Sequence, residues 1–342
     1  MNTFFVLNKS PMGVRMRKKK KSFATVYVLD GEGSAEKRAI ASLVDLKESG
    51  KVTWIHLNLS DPRAGKWLKK QSEINDWIRE NLTNPEISDP RVRIKQNKLL
   101  LLLRTVNRSS RSDPDDLVFL RLFATEKMLI STCRNPTLDF AEIDDLFEDK
   151  EGPVNMNDLL SILLENTLDS VADSIECIED IVDDFEEKII ISKPQEGTYS
   201  ALAERLRQVI IIRRFMMPER EVLDNLLRRG VKWFNAEFQQ SVRDNFDRVR
   251  RIVEDIDLLE KRIRVNQDAI SHLEDKQTQR NTYMLSVIAG IFLPLSFLTG
   301  VFGMNLGGIP LNESPFGFLA VNMIMVFIGL LILFIFKKLR WI

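Results

Sequence analysis

Apolar and polar positions alternate along this chain with three different periods, and each period predicts a different kind of element. Short β-branched and aromatic runs at 24–29, 52–57, 98–106, 117–123 and 127–133 read as strands, the last two separated by Ala124-Thr125-Glu126. Residues 36–46 carry helical spacing in Ile40, Leu43 and Val44, and 61–82 carry helical patterns interrupted near Gln71-Ser72. From 153 to 190 the pattern is helical, with an apolar face of Ile175, Ile178, Ile181, Val182 and Phe185, and Lys193-Pro194-Gln195-Glu196-Gly197 ends it. Helical spacing returns at Tyr199, with breaks expected at Pro218 and Gly230. From Ser241 no breaker occurs before Gly290 and Pro294, and Val249, Ile252, Ile256 and Leu259 form an apolar stripe. One helix of roughly 60 residues, about 90 Å long, is therefore predicted, with a mild bend where Pro294 cannot donate to the carbonyl of Gly290.

The third period is no period at all. Residues 282–302 and 316–336 are apolar runs without a charge, each long enough to cross a hydrocarbon core as a helix. Ten strongly apolar residues at about −0.5 kcal/mol each give roughly −5 kcal/mol for insertion. Lys276 and Arg280 precede the first run, Lys337, Lys338 and Arg340 follow the second, and the loop between them has no Lys or Arg. Basic residues stay on the cytoplasmic side, so both termini are expected inside and the loop outside, with Tyr283 and Trp341 at the interfaces.

The faces of the first span differ. Gln279, Thr282, Ser286, Ala289, Leu293, Ser296 and Gly300 follow one another at steps of three and four, so they share one stripe. Apart from Leu293 the stripe is small or polar. It either packs closely against another helix or lines water. Two helices cannot enclose a pore, so the second alternative requires several copies.

Gly303-Met304-Asn305 directly after the first of two C-terminal spans, behind a long charged helical region and before a basic tail, resembles the CorA-type divalent-cation transporters. The continuation Leu306-Gly307-Gly308-Ile309-Pro310 resembles the ZntB zinc-transport branch; the magnesium branch usually carries a Met-Pro-Glu-Leu-like loop there. The resemblance implies an α+β cytoplasmic domain (a mixed sheet flanked by helices), a long stalk helix and a C-terminal two-helix transmembrane hairpin, assembled as a funnel-shaped homopentamer in a bacterial inner membrane. It implies that the first span lines the pore, with Gly303, Met304 and Asn305 at the selective mouth. It also places Asp268 where magnesium channels of the family carry a stalk carboxylate for a regulatory cation; a solvated stalk acid is the alternative. The zinc branch has been described both as exporters and as proton-stimulated importers, so direction stays open.

The chain accordingly divides into a basic tail (1–22), an α/β domain (23–150), acidic helices (151–200), stalk helices (201–281), the first span (282–302), an outward loop (303–315), the second span (316–336) and a basic tail (337–342). Consecutive strands joined by short turns favour antiparallel pairs within a mixed sheet. The acidic helix 153–190 reads as a solvated face, or as one that concentrates cations electrostatically. The basic run from Arg15 to Lys21 reads as a tail, or as a contact for anionic lipid.

Composition changes this picture little. A formal net charge of zero over 342 residues gives no bulk attraction to nucleic acid, and two cysteines make no disulfide framework. No signal peptide is visible, and no phosphate loop, nucleophile elbow or metal-spaced His/Cys cluster suggests an enzyme or a cofactor.

The chemistry offered to an ion is more telling. His56 lies in a strand and reads as structural; His272 lies on the stalk and reads as solvated. A dehydrated Zn²⁺ would want His or Cys, and the hairpin has neither, so no inner-sphere site is expected and the ion should cross hydrated. Asn305 suits this, since five Asn side chains could hydrogen-bond a hydrated cation without stripping it. Thr282 and Ser296 would form hydroxyl rings, and Leu293 and Leu285, the latter beside the stripe, would form apolar constrictions that gate by dewetting. Asn322 reads as an interhelical hydrogen bond. Glu313 is the one acid of the outer loop, near Gly307 and Gly308. The first reading is a transporter of Zn²⁺, with Cd²⁺, Ni²⁺ and Co²⁺ competing. The rivals are a Mg²⁺/Co²⁺ channel of the same family and a membrane-anchored sensor or scaffold, which has no use for the polar stripe.

Overall fold

The computed structural model describes residues 22–40, 43, 50–107, 116–134, 141–191, 197–304 and 316–338. Among them, seven strands form one mixed sheet: β1 (Ala24–Leu29), β2 (Ala35–Arg38), β3 (Thr53–Asn58), β4 (Arg91–Lys95), β5 (Lys98–Val106), β6 (Leu117–Ala124) and β7 (Met128–Cys133). Their spatial order is β2-β1-β3-β7-β6-β5-β4, and β3 and β7 are the parallel pair. Antiparallel hairpins thus flank a single parallel seam, reached by the crossover through α1 (Pro62–Lys70) and α2 (Asp76–Thr83).

The sheet is covered on both faces. Val26, Ile55, Leu57, Leu100, Leu102, Phe123 and Ile130 face α1 and α2. Tyr27, Leu29, Trp54, Leu101, Leu103, Leu120 and Leu122 face the opposite way, toward α3 (Ala141–Glu148) and α4 (Met156–Ile191). Asp61 and Asn75 cap α1 and α2 by accepting from the backbone N–H groups of Arg63 and Ile78.

At the edges of this sheet the structure departs from the sequence reading twice, once by correcting it and once by adding a strand. The helical spacing of 36–46 begins too early: Ala35–Arg38 is β2, antiparallel to β1 with Leu29 opposite Ala35, while Leu43 is helical. The strand β4 alternates Val92 and Ile94 with three basic residues, a period-two signal that the sequence reading passed over. Both are edge strands, Ala-Glu-Lys-Arg and Arg-Val-Arg-Ile-Lys. Charge on an edge discourages pairing with a further chain; in β2 it leaves no apolar alternation to read, while in β4 it alternates with Val92 and Ile94. The β4–β5 turn is Gln96-Asn97, both at positive φ (50° and 61°), a two-residue hairpin loop whose twist matches the strands. It is held from outside, because the Asn97 side chain accepts from the Lys232 N–H and its carbonyl accepts from Trp233 Nε1 at 3.0 Å.

Beyond the sheet the chain is helical: α4, α5 (Thr198–Arg228), α6 (Ala236–Phe302) and α7 (Gly317–Lys338). The long helix α6 starts at an Asn235 cap and runs 67 residues without interruption through Pro294, about 100 Å at 1.5 Å per residue. Pro218 also lies inside a helix, α5, rather than ending one. Its loss of one backbone bond is outweighed by burial on both sides, at Met216, Glu219, Val222 and Leu223. The break falls instead at Arg229-Gly230.

Along its first half α6 is packed by its own chain. Val249, Ile252, Ile256, Leu259, Ile263 and Ile270 are buried against α4 and α5. Ion pairs close the edges: Arg248 to Asp169 at 2.5 Å, Arg213 to Asp257 at 2.7 Å, and Arg262 to both Glu186, at 2.8 Å, and Asp183. The acidic face of α4 is therefore divided. Glu176, Asp180, Asp184 and Glu187 are solvated, while Asp183 and Glu186 clamp the stalk. The bonds from Arg262, joined by Asn266 Nδ2 at 2.9 Å, hold the Glu186 carboxyl below its ordinary range.

Candidate ion pathway

The stripe on the first span is built by rotation along α6. In the membrane half, Val287, Gly290, Ile291, Pro294, Leu295, Leu298, Val301 and Phe302 are half-buried, and this is the face that α7 covers. At Gly290 the approach is closest: a Cβ there would lie 2.9 Å from Phe336 Cζ. The absent side chain is what lets the second span sit against the first.

Gln279, Thr282, Ser286, Ala289, Leu293, Ser296 and Gly300 lie on the other side and are all exposed. At 100° per residue their centre is roughly 145° from the centre of the covered face. The reading in which these small residues pack against the second span of the same chain is thereby removed. Leu285 is also exposed, beside the stripe. Of the hydroxyls on the stripe, Ser286 Oγ donates to the Thr282 carbonyl at 2.9 Å; Thr299 Oγ1, off the stripe, donates to the Ser296 carbonyl at 2.9 Å.

The stripe does not stop at the membrane. Counting back in sevens from Gly300 gives Leu293, Ser286, Gln279, His272, Val265, Leu258 and Arg251, and every one is exposed. The companion series Ser296, Ala289, Thr282, Asp275, Asp268, Lys261 and Glu254 is exposed too. This second seam lies opposite the buried seam of Ile256 and Ile263. A strict seven-residue repeat drifts by about 20° per heptad on a straight helix and is the pattern of a left-handed supercoil. Leu258 (57% exposed) and Val265 (65%) are large apolar side chains left uncovered in its centre. Sequence reading found only the membrane part of this seam; the stalk part is legible as a heptad only once the buried face is known.

Asp268 and His272 stand on the seam, exposed. Among the described residues no group of three His, Cys, Asp or Glu side chains within one chain is arranged to hold a metal. His56, the other histidine, is structural. Ser131 Oγ accepts from Trp54 Nε1 at 2.8 Å and sits 2.9 Å from His56 Nδ1, and burial lowers the imidazole pKa to about 4. Asn322 Nδ2 donates to the Phe318 carbonyl of its own helix at 2.9 Å.

At the outer end, Gly303 caps α6. Its N–H donates to the Thr299 carbonyl at 2.9 Å, and a Cβ would lie 3.0 Å from that same oxygen. Its φ of −86° is open to any residue, so closeness and not handedness favours glycine here. Met304 follows, 46% exposed. Asn305, Gly307, Gly308 and Glu313 lie outside the described residues, as do the basic N-terminal run and Trp341.

Comparison with known proteins follows the same outline. Residues 49–338 match the family described as CorA-like Mg2+ transporter protein. The chain is 31% identical over 316 residues to the zinc transport protein ZntB of Pectobacterium carotovorum subsp. carotovorum (strain PC1), covering 92% of this chain and 94% of that one. Among solved structures it is similar to the full-length CmaX protein, with TM-score 0.77, 27% identity, and coverage of 95% of this chain and 100% of that one. It is also similar to the CorA magnesium transporter of Methanocaldococcus jannaschii, with TM-score 0.78, 18% identity, and coverage of 94% and 99%.

Proposed function

The chain belongs to the CorA-like Mg2+ transporter family, a divalent-cation transporter, and from that premise we propose that it moves Zn²⁺ through a pore lined by α6 from five copies. The single observation that carries the pore is the polar, small-residue stripe turned away from α7 and left uncovered by its own chain. Neither a hydrocarbon surface nor a simple anchor has a use for such a stripe. The preference for zinc rests on the similarity to ZntB proteins and on the Gly307-Gly308-Ile309-Pro310 loop.

In this reading the cation travels with its water. The span offers hydroxyl and amide oxygens but no thiolate, imidazole or carboxylate, so nothing replaces the inner hydration shell. Thr282 and Ser296 contribute rings of hydroxyls, Leu285 and Leu293 the narrow apolar levels, and Asn305 the mouth, where its amide hydrogen-bonds the hydrated ion. Glu313 raises the local cation concentration weakly, over the roughly 10 Å that salt permits. Both termini lie in the cytoplasm of a bacterial cell and the 303–315 loop faces outward.

The test is Zn²⁺ and Mg²⁺ uptake into proteoliposomes, side by side, for the natural protein and Asn305→Ala. Zn²⁺ uptake that exceeds Mg²⁺ uptake, is reduced by excess Cd²⁺, Ni²⁺ or Co²⁺, and is lost in an assembled Asn305→Ala oligomer is the expected result. Mass measurement in mild detergent should give a pentamer. An assembled Asn305→Ala protein with normal uptake would overturn the assignment of the mouth.

A further inference from the structure

Between the soluble domain and the first span, α6 runs uncovered. Residues 271–286 are all exposed, about four turns of helix. The seam fixes which side of this stretch faces other copies. Val265 lies seven residues before His272 and Gln279 seven after it, so His272 holds the same heptad position as the uncovered Val265 below and the polar stripe above. Asp275 stands in the companion series between Asp268 and Thr282. A spacing of i, i+3 puts the His272 imidazole and the Asp275 carboxylate on one face, one turn apart.

Charged groups lower on α6 are spent on partners. Arg248 pairs with Asp169, Arg250 with Glu254, and Arg264 with Glu260. Among the described residues, His272 and Asp275 take part in no hydrogen bond or ion pair of their own chain. Lys276 and Arg280 are turned roughly 70° and 110° away from the pair around the helix.

One chain therefore offers two ligands on this face, too few to hold an ion. Helical bundles build carboxylate–imidazole metal centres by setting Glu-x-x-His pairs, at i, i+3, on facing helices. His272-x-x-Asp275 is the same pair in reverse order. Two copies of α6 that meet along the seam bring together two imidazole nitrogens and two carboxylate oxygens, a four-ligand set suited to Zn²⁺. Mg²⁺ takes oxygen ligands and gives up water reluctantly, so an imidazole favours it little.

We propose that neighbouring copies of α6 form a transition-metal site of the Zn²⁺ type from His272 and Asp275, on the cytoplasmic side of the ion pathway and about 15 Å before Thr282. This rests on the reading in which copies of α6 meet along the stripe. It adds to that reading a place, absent from both spans, where a cation exchanges water for imidazole and is told from Mg²⁺. It is distinct from the stalk carboxylate Asp268, which lies one turn lower and brings no nitrogen ligand.

The full-length protein, stripped of metal in mild detergent and checked by mass for its oligomeric state, is titrated with Zn²⁺ in excess Mg²⁺ by equilibrium dialysis. An assembled His272→Ala oligomer should bind Zn²⁺ at least tenfold more weakly than the natural one, and Asp275→Asn should weaken binding in the same direction. Cys177→Ser removes the exposed thiol of α4 and should leave binding unchanged. Should His272→Ala fail to assemble, His272→Cys decides. A thiolate is a zinc ligand, so that variant should keep Zn²⁺ and shift its preference toward the softer Cd²⁺. Undiminished Zn²⁺ binding in an assembled His272→Ala protein overturns the site and leaves the pore reading standing. So does binding lost in Cys177→Ser, or a His272→Cys protein with no gain for Cd²⁺. A monomer by mass overturns the site and the pore together.

Discussion

The two halves of α6 share one helix and obey opposite rules. From Ala236 to Ile270 the helix is fixed by its own chain: a buried seam on α4 and α5, with ion pairs along its margins. From Ser271 to Phe302 the helix is covered by α7, on one side, and the residues from Ser271 to Ser286 are all exposed. The second half carries its polar residues on the side that has nothing to pack against. Because both halves belong to one unbroken helix, the packing of Ile256 and Ile263 sets the rotation of Ser286 and Ser296. Orientation of the stripe relative to the soluble domain thus follows from the continuity of one helix.

The sharpest way to break this comparison is to fill the stripe. Ser296→Phe should abolish Zn²⁺ uptake in proteoliposomes, at least a hundredfold, with Tm unchanged, while Ile288→Phe, off the stripe, should keep uptake within twofold. Equal losses in both would mean that the face has no special role.

The next effect is on stability and should be confined to the buried seam. Ile263→Ala removes a fully buried side chain and should cost about 2–5 kcal/mol, read from urea unfolding of the soluble domain's signal. Val265→Ala, two residues away on the exposed seam, should cost the single chain little and instead lower the fraction of assembled oligomer in mild detergent.

A smaller effect is expected with pH. Burial pushes the Glu219 carboxyl up from its ordinary 4.5 to about 8. The folded form binds the proton more tightly than the unfolded one, so this contribution is complete below about pH 4.5 and fades as pH rises through 8. Glu219→Gln, which keeps an acceptor for the Arg104 N–H, should flatten the decline of Tm between pH 5 and 8.

The smallest effect concerns the clamp. Glu186 is shifted the other way, so its stabilisation is present above the ordinary carboxylate range and is lost as pH falls through that range. Arg262→Gln should cost about 1 kcal/mol or less, because the pair is partly solvated, and should reduce the loss of stability on acidification. A cost as large as that of Ile263→Ala would show that ion pairs, and not the apolar seam, hold the stalk.

Much of this was legible in residue order. The two uncharged runs, the five apolar strands and the 249–259 stripe are signals in which each residue reports its own surroundings, and burial follows a period of two or 3.6. The mixed sheet followed from short turns. The edge strand β2 was hidden because its backbone pairs while its side chains stay polar, whereas β4 shows its alternation in Val92 and Ile94 but is only five residues long. The helix through Pro218 was hidden because a proline's local penalty was overruled by what its neighbours bury.

The sequence by itself determined which segments are apolar enough for the membrane, where the small and polar stripe lies on its helix, and that no Cys or His stands in either span to bind a bare ion. Only the tertiary structure decided which side of α6 that stripe occupies relative to α7, that it continues down the stalk as an exposed heptad seam, and that Arg104 and Arg121 meet over the one ring of Phe119. The reason is physical. Hydrophobic period is a property of consecutive residues, whereas which of two faces is left uncovered, and which like charges meet, depends on segments a hundred residues apart being packed by the same fold.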